Sequence, residues 1–192
     1  MKLVVCAAAL AIAGAAAAAD PEAGKTKAAV CAACHGEAGN STNPTVPSLA
    51  GQPAQFLTTA LYMFRAGKRQ DPQMTPMAKP LSNTEMNDLA AYFTAQKPAP
   101  PRHQASAEHA KEGPELAQKF HCTQCHGPQL LGQQQMPRLA GQHYDYLRAQ
   151  LRGFRDGKRA DLDGKMTESA QGLSDADIDV LADYMAGLEP NK

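Results

Sequence analysis

The sequence contains no tryptophan, and only 5 phenylalanines and 5 tyrosines occur among its 192 residues. Its charges balance, with 19 basic and 19 acidic residues, so nothing indicates the strongly basic face that nucleic-acid binding requires. No segment shows the strict apolar–polar alternation of a half-buried strand. These absences argue against an aromatic-rich core, a nucleic-acid partner and a β-sheet fold. They favour an all-α protein that obtains part of its apolar burial from another source.

Cysteine is also scarce, and four of the five cysteines fall into two copies of one pattern. In each copy two cysteines lie three positions apart and a histidine follows directly. The residues are Cys31, Cys34 and His35 in one copy, and Cys122, Cys125 and His126 in the other. This C-x-x-C-H signature is typical of c-type haem attachment, because two thiols on one helical turn can add to the vinyl groups of one porphyrin. A thioredoxin-like pair or half of a zinc site is the alternative for a single copy. Two copies favour two covalently bound haem c groups.

Residues 1–19 have the features of a secretory signal peptide. Lys2 is followed by an apolar run and by a small-residue cleavage pattern, which predicts a cut before Asp20 and a periplasmic protein. A membrane anchor is the alternative, although the apolar stretch is only marginally long enough to span a bilayer. Cys6 lies in this segment, so every remaining cysteine belongs to a haem motif and no disulfide is expected.

The rest of the chain repeats itself once, at an offset of about 90 residues. The matching segments include 47–52 with 137–142, 64–69 with 154–159, and 81–82 with 173–174. A proline-rich stretch separates the copies, so we predict an N-terminal domain at 20–97, a linker at 98–102 and a C-terminal domain at 103–192. Apolar burial is marginal in domains of this size, and a buried porphyrin would supply what the side chains lack.

Each domain is predicted to form three main helices around its haem. The first pair covers 22–33 and 114–124, the second 53–66 and 144–155, and the third 82–95 and 174–187. The third helices begin with capping boxes at Ser82 and Ser174. Gly24 suits a close helix crossing in the first copy. The nearest upstream glycine in the second copy, Gly113, lies two residues further from the haem motif, which predicts a different crossing there.

Each iron requires a second axial ligand, and the repeat selects the candidates. Met74 and Met166 are the only methionines that coincide between the copies, and both precede threonine in what we expect to be loops. We therefore predict His35 with Met74 and His126 with Met166, a ligand set that fills both axial positions and is typical of electron transfer. Met77 is the alternative in the first domain.

Two further matched pairs are candidates for supporting the haem. Pro47 and Pro137 could offer carbonyls to the ring N–H groups of the ligating histidines; the alternative is that they only stiffen the loop. Arg69 and Arg159 could pair with haem propionates, or they could be solvated residues at helix ends. The unmatched histidines are predicted to be surface or local hydrogen-bonding residues. They are His103, His109, His121 and His143.

Over nearly all of the sequence after the signal peptide, the chain resembles the dihaem cytochromes of the cytochrome c4 family. The motifs that carry the resemblance are 30–36, the Leu-Ala-Gly-Gln segments 49–52 and 139–142, the Gly-Lys-Arg segments 67–69 and 157–159, and the two Met-Thr steps. The resemblance implies two class I cytochrome c domains related by a pseudo-twofold axis, with haem propionates close to each other across the interface. It also implies histidine–methionine ligation in both domains and periplasmic electron transfer toward a terminal oxidase. We therefore expect a monomeric electron carrier, not an enzyme, with a quinol–cytochrome c oxidoreductase as its donor.

Three other functions stay open at this point. The chain could be the dihaem electron-accepting subunit of a dehydrogenase complex, such as one that oxidises sulfide with a flavoprotein. It could be a dihaem peroxidase, although matched methionine ligands disfavour the open iron that this chemistry needs. It could be a non-redox structural or metal-binding module. Peripheral attachment to a membrane is likewise undecided.

Overall fold

The computed structural model describes residues 18–191, so residues 1–17 of the predicted signal peptide lie outside it. Within this range the chain forms ten α-helices and no strand beyond one isolated bridge between Gln133 and Met136, which confirms the all-α prediction. The helices are α1 (Pro21–Ala28), α2 (Ala32–His35), α3 (Ala54–Arg65), α4 (Met74–Ala78), α5 (Asn83–Ala95), α6 (Ala107–Lys119), α7 (Cys122–His126), α8 (Tyr144–Arg155), α9 (Lys165–Ala170) and α10 (Asp175–Gly187). No helix in residues 18–191 is long and apolar enough to cross a membrane.

The ten helices form two units with the same helix order, α1–α5 and α6–α10. In each unit the last helix packs against both the first helix and the long middle helix, so α5 contacts α1 and α3, and α10 contacts α6 and α8. Leu57, Leu89 and Phe93 form the centre of the first core, and Leu147 and Leu181 lie in the larger second core. A tandem of similar helical units therefore matches the predicted duplication.

The last helix of each unit begins with the predicted capping box. The Ser82 hydroxyl accepts from Glu85 N while the Glu85 carboxylate accepts from Ser82 N. Ser174 and Asp177 make the same reciprocal pair in the second unit. Both starts are confirmed, because this motif satisfies backbone N–H groups that have no partner within the helix.

The first helix of each unit differs from its prediction, because it does not run continuously into the haem motif. In the first unit α1 ends at Ala28 and α2 begins at Ala32. In the second unit α6 ends at Lys119, and the positive φ of His121 separates it from α7. The start of α6 also differs: the helix begins at Ala107, seven residues before the expected start, with Ser106 as its cap, and Pro114 lies inside it.

The two helix crossings are more alike than the glycine spacing predicts. A Cβ added to Gly24 would lie 2.0 Å from the carbonyl oxygen of Asp88 and 3.0 Å from Tyr92 Cβ. A Cβ added to Gly113 would lie 2.4 Å from Tyr184 Cβ, and Tyr184 is the repeat partner of Tyr92. The expectation of a different crossing is therefore wrong in its main point: each glycine lets the first helix of its unit approach the equivalent tyrosine on the last helix.

The segment between α5 and α6 is non-helical and contains the predicted proline-rich linker. It is held against the first unit by the Asn40 side chain, which accepts from Ala99 N at 2.7 Å and donates to Lys97 O at 3.1 Å. The Asn191 side chain also donates to Pro98 O at 3.4 Å. The connection is thus packed on the molecule along part of its length.

Candidate haem-binding sites

The short helices α2 and α7 bring together the cysteines and histidine of each motif. His35 and His126 are buried, with 6% and 3% exposure, whereas Cys34 and Cys125 are exposed. Cys31 and Cys122 are half-buried. Each turn therefore directs its histidine inward and leaves one thiol at the surface, which suits a flat group attached along one side.

The ring orientation of both histidines is set by the carbonyl of a matched proline. His35 Nδ1 lies 2.8 Å from Pro47 O, and His126 Nδ1 lies 2.8 Å from Pro137 O. Because a carbonyl can only accept, Nδ1 must carry the proton, and the lone pair is left on Nε2. His126 Nε2 is buried without a hydrogen-bond partner in the described residues. A buried nitrogen with a free lone pair is the donor that an axial iron ligand requires.

The protonation state of these rings also fits a ligand. Burial lowers the pKa of His35 and of His126 below the ordinary value of 6.5, and this effect outweighs the opposing hydrogen bonds to the proline carbonyls. Both imidazoles are therefore neutral at neutral pH, as metal ligation requires.

Burial also raises the pKa of the Cys31 thiol, and it raises the pKa of Cys122 to about 11. Zinc binding and disulfide exchange both use the thiolate, which such burial disfavours. The described residues also contain no cluster of three or more metal-ligating His, Cys, Asp or Glu side chains. The cysteine pairs thus suit thioether formation better than the zinc or thioredoxin alternatives.

Met74 and Met166 are half-buried and lie in short helices, α4 and α9, where the sequence predicted loops. An aspartate fixes each position: Asp71 Oδ1 accepts from Met74 N at 2.8 Å, and Asp161 Oδ2 accepts from Met166 N at 2.8 Å. These carboxylates accept from N–H groups in the first turn of each helix, which stabilises the helix start. Met77, also in α4, is 46% exposed.

Arg69 and Arg159, which follow matching helices, converge between the two units. Both guanidinium groups donate to Gln150 Oε1, at 3.0 Å and 2.6 Å, and Arg69 also donates to the Tyr146 hydroxyl at 3.1 Å. Burial, reinforced by the charge of Arg69, lowers the pKa of Arg159 to about 10. Burial raises the pKa of Tyr146, but the two arginine charges outweigh it and the pKa falls below 10.0. Neither arginine forms a salt bridge with a described residue, and Arg159 Nε has no partner there.

The side chains of all four unmatched histidines form hydrogen bonds within the protein, but only that of His121, whose Nδ1 lies 2.9 Å from Gln124 Nε2, is local in the chain. His103 and His109 both pair with Asp183, with His109 Nδ1 at 2.9 Å from Asp183 Oδ2. His143 Nε2 donates to Ser41 O of the other unit at 3.1 Å.

Three buried residues at the boundary between the units were not predicted from the sequence: Gln52, Arg138 and Gln142. The Arg138 guanidinium donates to Ala50 O at 2.9 Å and to Ala140 O. Burial lowers its pKa to about 10. The repetition of Leu-Ala-Gly-Gln was a signal for the glutamines, but sequence alone did not show what they contact.

These features fit a haem in each unit. Each unit has two thiols on one turn, a neutral buried histidine whose Nδ1 is bonded to a proline carbonyl, and a half-buried methionine whose backbone N–H is bonded to an aspartate. Two arginines without a carboxylate partner among the described residues converge on Gln150 between the units. The fold and sites define a tandem protein with two c-type haems.

Comparison with known proteins agrees with this class. The profile of the Cytochrome c family matches residues 21–96 and 110–189. Cytochrome c4 of Pseudomonas aeruginosa is 41% identical over 181 residues, covering 90% of this chain and 90% of that protein. The crystal structure of reduced recombinant cytochrome c4 from Pseudomonas stutzeri superposes with a TM-score of 0.82 at 39% identity, covering 89% of this chain and 100% of that one. A thiosulfate dehydrogenase electron acceptor of Thiomonas intermedia is 38% identical over 190 residues, covering 92% of this chain and 85% of that protein.

The chain belongs to the cytochrome c4 family of dihaem cytochromes. It consists of two tandem cytochrome c domains and carries two covalently bound haem c groups. It is an electron-transfer cytochrome.

Proposed function

We propose that this cytochrome transfers electrons in the periplasm toward a terminal oxidase, using His35 with Met74 and His126 with Met166 as axial ligands. Cys31 and Cys34 hold one haem, and Cys122 and Cys125 hold the other. The observation that carries the proposal is the matched pair of buried histidines whose Nδ1 is bound by a proline carbonyl. This arrangement leaves Nε2 of each ring as the available donor.

Bound haem supplies a one-electron redox change at its iron. The chain contributes the environment for that change. Pro47 and Pro137 fix the histidine rings, and Asp71 and Asp161 hold the backbone beside each methionine. A neutral thioether favours reduced iron and raises the potential, and burial limits solvent access. With His35 and Met74 on one iron and His126 and Met166 on the other, neither iron would keep a position open for peroxide.

Arg69 and Arg159 are proposed to bind propionates between the domains. Their convergence on Gln150, without a carboxylate partner among the described residues, supports this role. Positive charge between two haems would neutralise the propionates where they are least solvated. The proposed domain limits are 20–97 and 103–192, with 98–102 as the linker and 1–19 as a cleaved signal peptide.

A spectroelectrochemical titration of the purified holoprotein tests the ligation. The expected result is two positive potentials, with the weak long-wavelength absorption band of a thioether–iron bond in the oxidised state. Absence of this band, or one strongly negative potential, would contradict the methionine assignment and favour a low-potential or peroxidase role. For the proposed route, we expect rapid reduction by a quinol–cytochrome c oxidoreductase and rapid reoxidation by a terminal oxidase.

A second function is supported by the similarity to a thiosulfate dehydrogenase electron acceptor. In this alternative the chain accepts electrons as the dihaem subunit of a dehydrogenase complex, and its haem chemistry is unchanged. Copurification with a dehydrogenase, together with haem reduction on addition of that enzyme's substrate, would favour it. Reduction only by the quinol-oxidising complex would favour the free carrier.

A further inference from the structure

Gln52 and Gln142 occupy matching positions in the two domains, and both are almost fully buried, with 2% and 4% exposure. Each follows a glycine with φ of +65°, at Gly51 and Gly141, a conformation that other residues rarely adopt. In the first domain the Thr94 hydroxyl also donates to Gln52 O at 2.8 Å. The glutamine backbone is therefore held in a fixed turn, and its side chain extends toward the other domain.

Each glutamine binds both backbone groups of one residue in that other domain. Gln52 Nε2 donates to Arg138 O at 3.0 Å, while Gln52 Oε1 accepts from Arg138 N at 2.9 Å. Gln142 Nε2 donates to Ser48 O at 2.9 Å, and Gln142 Oε1 accepts from Ser48 N at 2.9 Å. Because an N–H can only donate and a carbonyl can only accept, the orientation of both amides is determined.

The N–H groups bound by the glutamines belong to the peptides that aim the haem histidines. In the peptide between Pro137 and Arg138, the carbonyl lies 2.8 Å from His126 Nδ1 and the N–H donates to Gln52. One peptide group thus joins a histidine of the second domain to a glutamine of the first.

The reverse connection has the same form. The carbonyl of Pro47 lies 2.8 Å from His35 Nδ1, and the N–H of Ser48 in the same peptide donates to Gln142. The two hydrogen-bonded chains cross the interface in opposite directions.

We infer that each glutamine is a positioning residue that sets the donor strength of the haem histidine in the opposite domain. A peptide that donates its N–H carries more negative charge on its carbonyl, so the two hydrogen bonds strengthen each other. A stronger bond at Nδ1 makes the imidazole a better electron donor through Nε2, which stabilises oxidised iron and lowers the reduction potential. This inference rests on the histidine ligation proposed above, and it makes the docking of the domains part of the redox tuning.

The test uses the variants Gln52→Leu and Gln142→Leu in the full-length holoprotein. An NMR-monitored redox titration follows each haem by the resonances of its own axial ligands. We expect Gln52→Leu to raise the potential of the haem on His126, and Gln142→Leu to raise that of the haem on His35. With about 10–30% cooperative strengthening per bond, the reduced-to-oxidised ratio at fixed solution potential should change roughly threefold, about 30 mV for one electron. The Nδ1–H proton of the affected histidine should also shift as its hydrogen bond weakens.

His143→Ala is the matched control, because it removes another side-chain hydrogen bond across the interface, to Ser41 O, but keeps the backbone N–H of residue 143 that donates to Gln142 Oε1 at 3.1 Å. It should leave both potentials unchanged. Gln52→Asn is a second variant in case the leucine variant does not fold, because it keeps a polar amide on a shorter side chain. It should raise the potential of the same haem, the one on His126. The inference would be overturned if neither potential changed, if both potentials changed equally, or if the potential of the haem in the variant's own domain changed instead. It would also be overturned if His143→Ala changed the same potential by the same amount. If the unmodified protein lacked histidine–methionine ligation, the failure would instead lie with the proposed ligands.

Discussion

The helix crossing at Gly113 offers a quantitative test of how the second domain is built. Its substitution by alanine would place a methyl group 2.3 Å from Tyr184 Cγ and 2.4 Å from Tyr184 Cβ, where ordinary contacts are 3.4–4 Å. Tyr184 Cβ is attached to the backbone of α10, so a rotamer change cannot move it away. The helices α6 and α10 must therefore separate by about 1 Å, which opens the packing beside the haem turn that follows α6.

Two opposing effects determine the size of the change. Alanine is favoured over glycine inside a helix by about 0.8–1.0 kcal/mol. Overpacking a core contact costs about 1–3 kcal/mol or more, and the fixed neighbour here argues for the upper part of that range. We therefore expect Gly113→Ala to lower the free energy of unfolding by about 1–2 kcal/mol, a fall in melting temperature of roughly 4–16 °C for a domain of this size.

Gly153→Ala is the matched control, because Gly153 is also helical and lies in the same domain. Its added Cβ would meet only Arg159 Cβ, at 3.3 Å, so we expect stability to stay unchanged or to rise by up to about 1 kcal/mol. Urea unfolding of both holoprotein variants, followed by circular dichroism and by the thioether–iron band, measures the difference. Equal midpoints for the two variants would refute the crossing argument.

Three further predictions concern the ligands, a buried carboxylate and the core. Met74→Ala and Met166→Ala should each remove about half of the thioether–iron band and lower one potential, whereas Met77→Ala should do neither; a full band in either ligand variant would contradict the assignment. Burial raises the pKa of Asp183, but hydrogen bonds from two histidines and a backbone N–H outweigh it, so its folded pKa lies below 3.8. The stabilisation of the fold by ionised Asp183 is therefore complete above pH 3.8 and is lost as the pH falls through the folded pKa. In urea titrations at a series of pH values, Asp183→Asn should make the free energy of unfolding less dependent on pH in this acidic range. Leu181→Ala, at a fully buried site, should cost about 2–5 kcal/mol in the same unfolding assay.

The interface between the domains connects the proline–histidine hydrogen bond of each repeat to a glutamine of the other repeat. Pro47 and Pro137 bind the histidines of their own domains, and the next residue in each case is bound by a glutamine from the other domain. A change in domain docking would therefore reach both haem histidines through short hydrogen-bonded chains. The arginines, which converge at the same boundary, add positive charge that neither domain could assemble alone.

Several features could be predicted from sequence because they depend on residues close together in the chain. The cysteine and histidine positions follow from the geometry of one helical turn, and the helix starts at Ser82 and Ser174 follow from side chains three residues apart. The duplication supplied a second kind of information, because it separated Met74 and Met166 from the other methionines. Cofactor, fold class and candidate ligands were therefore predictable from the amino-acid sequence alone.

Tertiary structure decided the features that depend on distant residues. The spacing of Gly113 from its haem motif predicted a different crossing, yet the helices bring it against Tyr184, because contact across a crossing depends on helix orientation. Met74 and Met166 lie in helices that begin where aspartates satisfy their backbone N–H groups. The roles of Gln52 and Gln142 depend on residues 86 and 94 positions away. Local periodicity carries no information about such contacts, since they exist only once the two domains have packed.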